Sequence, residues 1–342
     1  MLFNILILVG ILIIFALWPK SKVSFDTSFE ANHIGEDVEE YLRLNEGKDK
    51  YLHPWAKKTI IWHDKKKTKK TAVSVVYIHG FSASLGEIRP VPDLIANNLG
   101  ANLYFARLSG HGSRDPLALG KCNSSDWYGD IEESLEIGFR IGNQVLVIAT
   151  SFGAALVSEY LSKNNLDNRM VGTVFISPCY GIPNWRAHLF RYPFWSKFLY
   201  PIIFGKFRVS TSQTAEESKW WSQVYPVIAI ENLVLCVDKI WRSNFRSIKS
   251  PNLMIFCNED RLVSIPRIKK IQKRWGGGAS LKPLDVPPQT DHNNYHVIMG
   301  DIKSPTQTEK GVKLILDWLD LNLKLPKNFD NKKHNNPKSR KK

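Results

Sequence analysis

Cysteine is scarce in this chain of 342 residues: Cys122, Cys179, Cys236 and Cys257 stand far apart, and no CxxC pair occurs. That spacing excludes the paired cysteines of a structural metal site, and a chain this long has no need of a disulfide framework. Free, mostly buried thiols are expected, and the redox compartment stays open. Internal repeats are also missing, which argues against a stack of copied units. Acids are outnumbered, 32 against 47 Lys and Arg, for a net charge of +15. The excess is local. Residues 65–70 (KKKTKK) hold five lysines, and residues 327–342 hold seven Lys/Arg against one acid, Asp330. The remainder is close to balanced and contains no recognisable nucleic-acid module, so no nucleic-acid partner is expected. With 43% apolar residues the chain can bury a sizeable core.

Charge is absent from Leu2 to Trp18, a run that is apolar apart from Asn4 and Gly10. As a helix it would extend about 26 Å, close to the hydrocarbon thickness of a bilayer. No basic residue precedes the run and no small-x-small cleavage site follows it, so an uncleaved anchor over 1–19 is favoured over a removed signal. Lys20 and Lys22 follow, and the positive-inside rule then leans toward a cytoplasmic catalytic domain. A linker over 20–58, with a short helix at 36–44, leads to the main domain.

From there strands and helices alternate. Residues 59–62 and 72–78 read as strands flanking the lysine-rich turn, an expected hairpin. Strands follow at 102–106, 144–149, 171–176, 252–257 and 280–286, and helices at 91–99, 125–141, 152–161, 266–275 and 306–321. Strands without apolar/polar alternation, interleaved with helices, predict an α/β fold: a mostly parallel central sheet flanked by helices. The core is expected at 59–178 and 248–325, with a basic tail at 326–342. Between the halves, residues 179–247 break the alternation and are dense in aromatics, among them Trp185, Phe190, Trp195, Phe204, Trp220 and Tyr225. They predict a helical cap.

The strongest chemical signal is QVLVIATSFGAALVSEYL: a strand ends at Ala149, and a helix begins just past Ser151. A serine on such a turn has strained backbone angles and needs small residues two places before and after it, here Ala149 and Gly153. The helix start and the Phe152 N–H would then face developing negative charge. An ordinary helix-capping serine is the plain alternative. An activated serine needs a base oriented by an acid, in the chain order Ser, Asp/Glu, His. Asp260, in the loop after the strand NLMIFC, is favoured over Glu259. His296 is favoured as base over His292, because Val297-Ile298 can anchor it while His292 sits among polar residues, as a solvated loop residue would. After the strand VSVVYI, Gly80 lets the backbone pass close to the serine, so the Phe81 N–H can pair with that of Phe152. His79, at the end of that strand, reads as structural.

These residues lie in HGFS (79–82), RLSGHG (107–112), DWYGDIEESL (126–135), ATSFG (149–153), NEDRLV (258–263) and NNYHVIMGD (293–301). With them, residues 72–322 resemble the α/β-hydrolase superfamily, in its branch of monoacylglycerol lipases, lysophospholipases and carboxylesterase-like serine hydrolases. The resemblance implies the α/β-hydrolase fold with a cap over the site, no cofactor, and a two-step acyl-enzyme mechanism. It assigns Ser151 as nucleophile, His296 as general base and Asp260 as its partner, with the amides of Phe81 and Phe152 as oxyanion hole. Two positions depart from the usual pattern: Ala149 replaces a glycine, and Phe81-Ser82-Ala83-Ser84 lacks a second one.

The expected substrate is a carboxylic ester, with the aromatic cap and the anchor pointing to acyl or lipid esters. A peptidase or amidase on the same scaffold, or a non-catalytic membrane-tethered binding protein, are the alternatives.

Overall fold

The computed structural model describes residues 10, 23–66, 68–166 and 169–322. Apart from Gly10, the expected anchor at 1–19 lies outside the described residues, as does the tail at 326–342; among the described residues no helix is long and apolar enough to cross a membrane.

Among the described residues nine strands form: β1 (Thr59–Ile61), β2 (Thr71–Ile78), β3 (Asn102–Phe105), β4 (Gly142–Thr150), β5 (Met170–Ile176), β6 (Phe207–Val209), β7 (Val224–Pro226), β8 (Asn252–Phe256) and β9 (Ala279–Pro283). Seven make one sheet in the order β1-β3-β2-β4-β5-β8-β9. Every pairing in it is parallel except that of β1 with β3. The continuous apolar runs explain this, because both faces are covered and alternation would leave polar groups in a core. Val75 and Tyr77 face one layer, with Val91 and Ile95 of the helix over 91–99 and Val312, Ile315 and Trp318 of the helix over 308–322. Val76 and Ile78 face the other, with Trp127, Ile131, Phe152, Leu156 and Ile268. Each such side chain contributes about 1.5–3 kcal/mol by leaving water.

The helices are α1 (Val38–Gly47), α2 (Val91–Leu99), α3 (Ser124–Ile141), α4 (Ser151–Lys163), α5 (Ile228–Ile240), α6 (Ile265–Gln272) and α7 (Thr308–Asn322), with shorter turns between. α3 starts on a reciprocal cap, in which Asn123 accepts from the Asp126 N–H and Asp126 accepts from the Asn123 N–H. The linker is tied down rather than loose. The hydroxyl of Tyr41 in α1 donates to Glu133 of α3 at 2.8 Å.

One expectation is corrected. β1 and β2 form no hairpin: β1 pairs antiparallel with β3 at the sheet edge, and β2 lies between β3 and β4. The reason is burial. Val73 to Ile78 are buried and need a partner on each side, whereas the half-exposed Thr59-Ile60-Ile61 suits an edge.

The insertion leaves between β5 and β8, which are neighbours in the sheet. It contains short helical turns at Trp185–Arg191, Trp195–Leu199, Tyr200–Phe204 and Ala215–Trp220, and then α5. It also contains an antiparallel ribbon of β6 and β7 that the helical reading did not anticipate. The aromatic and β-branched residues of Phe207-Arg208-Val209 and Val224-Tyr225 favour extended backbone.

Candidate active site

The turn after β4 has no loop at all. Thr150 is extended (φ −107°, ψ 139°) and the next residue already begins α4. Ser151 takes the change of direction with φ at +50°, a left-handed conformation that is strained for a non-glycine residue. Gly153 is required at its position, because a Cβ there would lie 2.4 Å from the carbonyl oxygen of His79. Ala149 fits between Ile78 of β2 and Phe175 of β5, fully buried. The small-residue requirement read from the sequence is thus met by these contacts.

Asp260 and His296 meet. The carboxylate Oδ2 lies 2.8 Å from Nδ1 of the imidazole, and Oδ1 accepts the N–H groups of Leu262 and Val263 at 2.8 and 3.0 Å. The acid is therefore fixed by its own loop before it orients the ring, and it does not cap α6. Both residues are buried. Burial lowers the imidazole pKa, but the charge and hydrogen bond of Asp260, with Asp291 and Glu87 adding to them, outweigh it and raise it to about 9. The ring is placed over the sheet by its backbone: the carbonyl of His296 accepts the Ser177 hydroxyl at 2.7 Å. Ser177 directly follows Ile176, the partner of Thr150, so it stands beside Ser151 at the end of β5. Serine, histidine and aspartate thus gather at the carboxyl ends of β4, β5 and β8, where ligands bind in open α/β sheets. Ser151 and His296 do not hydrogen bond to each other in this arrangement.

Gly80 passes close to Ser151: a Cβ there would come 3.2 Å from that of Ser151 and 2.8 Å from Oε1 of Glu87. No described group accepts the Phe81 N–H, and the Phe152 N–H is in the first turn of α4, where no intrahelical acceptor exists. The two rings meet edge to face at 6.1 Å.

Sequence reasoning missed Glu87. It is buried, and its Oε2 accepts the Gly80 N–H at 2.8 Å and the Tyr77 hydroxyl at 2.9 Å. Burial pushes its carboxyl up. Seven residues past Gly80 and among apolar neighbours, it carried no local signal beyond being an acid in an apolar stretch. Ser177 was missed likewise.

His79 is structural, as read. Its Nε2 accepts the Leu108 N–H at 3.1 Å, so Nδ1 carries the proton toward the Gly80 carbonyl at 2.8 Å. Burial lowers its pKa to about 4, which keeps it neutral. His292 is corrected: it is no solvated loop residue, because its Nε2 lies 2.9 Å from Oε2 of Glu217 in the cap. All four cysteines are free, and three are buried. Two hollows of about 570 and 760 Å³ lie against α1 and α3, lined by residues such as Asp126, Asp130, Glu30 and Glu40, away from the serine and histidine.

The sequence profile of the Alpha/beta hydrolase family matches residues 75–301. Among solved structures, that of LipS and LipT, two metagenome-derived lipolytic enzymes, aligns with a TM-score of 0.62 at 19% identity, covering 79% of this chain and 99% of that one. A monoacylglycerol lipase from Paleococcus ferrophilus aligns at 0.54 and 15%, covering 78% and 98%. A soluble variant of monoglyceride lipase from Saccharomyces cerevisiae aligns at 0.55 and 14%, covering 79% and 92%. No curated protein matches by sequence. At these identities the structural likeness is one of fold, and it agrees with the profile, the sheet order and the strained serine turn: the chain belongs to the alpha/beta hydrolase family.

Proposed function

We propose that the protein hydrolyses carboxylic esters, acyl or lipid esters in particular, through an acyl-enzyme on Ser151. The observation that carries this reading is the buried Asp260–His296 hydrogen bond at the sheet edge where Ser151 is held left-handed. His296 removes the Ser151 proton as Oγ attacks the ester carbonyl. The amides of Phe81 and Phe152 receive the oxyanion, and the imidazolium protonates the departing alcohol. Water then repeats the sequence on the acyl-enzyme. These steps use side chains and backbone amides alone.

Two features support an acyl substrate presented at a lipid surface. Residues 168–215 contain no Asp or Glu. Within that stretch Ile202, Ile203, Phe204 and Val209 are exposed, next to Lys206 and Arg208. Apolar side chains flanked by cations suit a bilayer with anionic headgroups. On this reading residues 2–18 anchor the chain, with the catalytic domain on the cytoplasmic side. An aminopeptidase would need free acids in the cap for a substrate amine. The cap acids are engaged within the protein: Glu217 with Lys303, Asp238 with Arg191, Glu216 with Trp220 and Glu231 with Ser196. That favours an ester over a peptide.

The test is labelling by a fluorophosphonate together with a panel of acyl esters and lysophospholipids. Wild-type protein is labelled and turns over medium or long acyl esters, and Ser151→Ala does neither. A binding protein that has lost turnover would show no labelling in either form. Turnover of only short, water-soluble esters would remove the lipid reading and leave the esterase.

A further inference from the structure

The loop that carries His296 is held in a conformation that its residues disfavour. Gln289, Asp291, His292, Asn293 and Tyr295 all have positive φ, between 46° and 66°, and none is glycine. Such a run persists only where its surroundings over-determine it. Much of what surrounds it belongs to the cap. Glu217, in the short helix Ala215–Trp220, is bonded to the Lys303 ammonium and to His292 Nε2, the latter at 2.9 Å. Lys303 also reaches Oδ1 of Asp291 at 3.0 Å, and Asp291 Oδ2 accepts the Val297 N–H at 3.3 Å. The side chains of Glu217, Lys303 and Asp291 are 10%, 8% and 5% exposed, so breaking one pairing leaves the others with an uncompensated buried charge.

The same cap segment grips the loop that carries Phe81. The Ser84 hydroxyl donates to the Trp220 carbonyl at 2.8 Å, and the Ser222 N–H donates to the Ser82 carbonyl at 2.7 Å. The Trp220 ring lies so close to Gly86 that a Cβ there would come within 2.2 Å of it. Residues 213–222 therefore bridge the two loops that flank Ser151.

We infer that Glu217 is a positioning residue: from the cap, through Lys303, His292 and Asp291, it holds the His296 loop in working register with Ser151. For its kinetic readout this rests on the serine-hydrolase reading; for its structural readout it does not.

The experiment compares wild-type full-length protein with Glu217→Gln by hydrogen exchange of the peptide spanning 289–297, fluorophosphonate labelling rate, and kcat, KM and pH profile on a soluble ester. Exchange in 289–297 should rise about tenfold while the sheet peptides stay as they were. Labelling rate and kcat should fall about tenfold with KM within about twofold, because substrate contacts are untouched and the base is misplaced. The ionisation seen in kcat/KM should shift, which a loss of stability alone would not cause. Glu217→Asp, which keeps the charge on a shorter stem, should recover part of each effect, and it carries the test if the Gln variant fails to fold. Wild-type exchange and wild-type labelling in a folded variant overturn the inference. If Ser151→Ala protein is still labelled, the hydrolase reading has failed instead, and the exchange measurement alone decides the role of Glu217.

Discussion

The sheet edge that bears Ser151 and the cap beside it are built on opposite terms. At the edge Tyr77, Ile78, Ala149 and Phe152 are fully buried, and buried polar groups hold the backbone around them, as with Glu87 beneath Gly80 and Ser177 beneath His296. In the cap Ile202, in the short helix Tyr200–Phe204, is 79% exposed, and Val209, in the β6–β7 ribbon, is 62% exposed. A buried constellation is specified by its own packing, so a substitution there acts on geometry. An exposed apolar ridge is specified by what it meets, so a substitution there should act only when that surface is present.

The largest expected effect comes from the edge. In Asp260→Asn the Leu262 and Val263 amides can keep their acceptor, but Nδ1 of His296 loses the carboxylate that fixes its tautomer. Ester turnover should fall by about 10⁴-fold with the melting temperature changed by a few degrees at most. A loss below tenfold in kcat would show that the pair is structural. No substitution confined to Ile202, Ile203 or Val209 should approach this.

Next comes pH. The proposed mechanism needs the neutral imidazole, and the folded pKa of His296 is raised to about 9. Activity should therefore climb about tenfold per pH unit below that value and level off above it. Stability should move the other way. A base whose pKa is raised on folding stabilises fully below its unfolded value of 6.5, and the contribution is lost as pH rises through about 9. Rate and denaturant-melt profiles on the same samples read both limbs. An activity plateau already reached at pH 7 would show that the imidazole is not held protonated by Asp260, Asp291 and Glu87.

Glu87 sharpens the comparison from the stability side. Glu87→Ala leaves the buried Gly80 N–H without its acceptor and opens a cavity, at a cost of about 2–4 kcal/mol in urea melts. Glu87→Gln keeps the shape and an acceptor oxygen. Because burial already pushes the carboxyl toward its neutral form, the amide should cost less than about 1 kcal/mol. Equal losses in the two variants would mean that the charge, and not the hydrogen bond, matters.

The edge was legible in the sequence because each of its parts obeys a local rule. VSVVYI and QVLVIA read as doubly covered strands, and Ser151 with Gly153 two places on marks a tight turn into a helix. Asp260 and His296 follow late strands whose ends must share one rim. Partners distant in the chain carried no such rule. Nothing near Ser177 announces that its hydroxyl will hold the His296 carbonyl, 119 residues away. His292 looked solvated because its partner, Glu217, comes from the insertion. The supposed hairpin failed for a related reason: adjacency in sequence outweighed the need of β2 for two parallel neighbours. The β6–β7 ribbon was hidden because three-residue strands are too short to show a period.

The smallest expected change in stability, and the one that bears on substrate, is in the cap. Ile202 and Ile203 are 79% and 58% exposed, so Ile202→Ser with Ile203→Ser removes little buried area, and the melt should shift by less than about 0.5 kcal/mol. Hydrolysis of a short, soluble ester should be unchanged, since both side chains are largely exposed and neither is among the groups that hold the site loops. Hydrolysis of a long acyl ester presented in anionic vesicles should fall several-fold, with matching loss of co-sedimentation, because two apolar side chains no longer enter the interface. Equal rates on vesicles would detach the ridge from lipid and leave it as a contact for another protein. A drop on the soluble ester would instead show that the ridge shapes the site, and the contrast between a self-specified edge and a partner-specified cap would no longer hold.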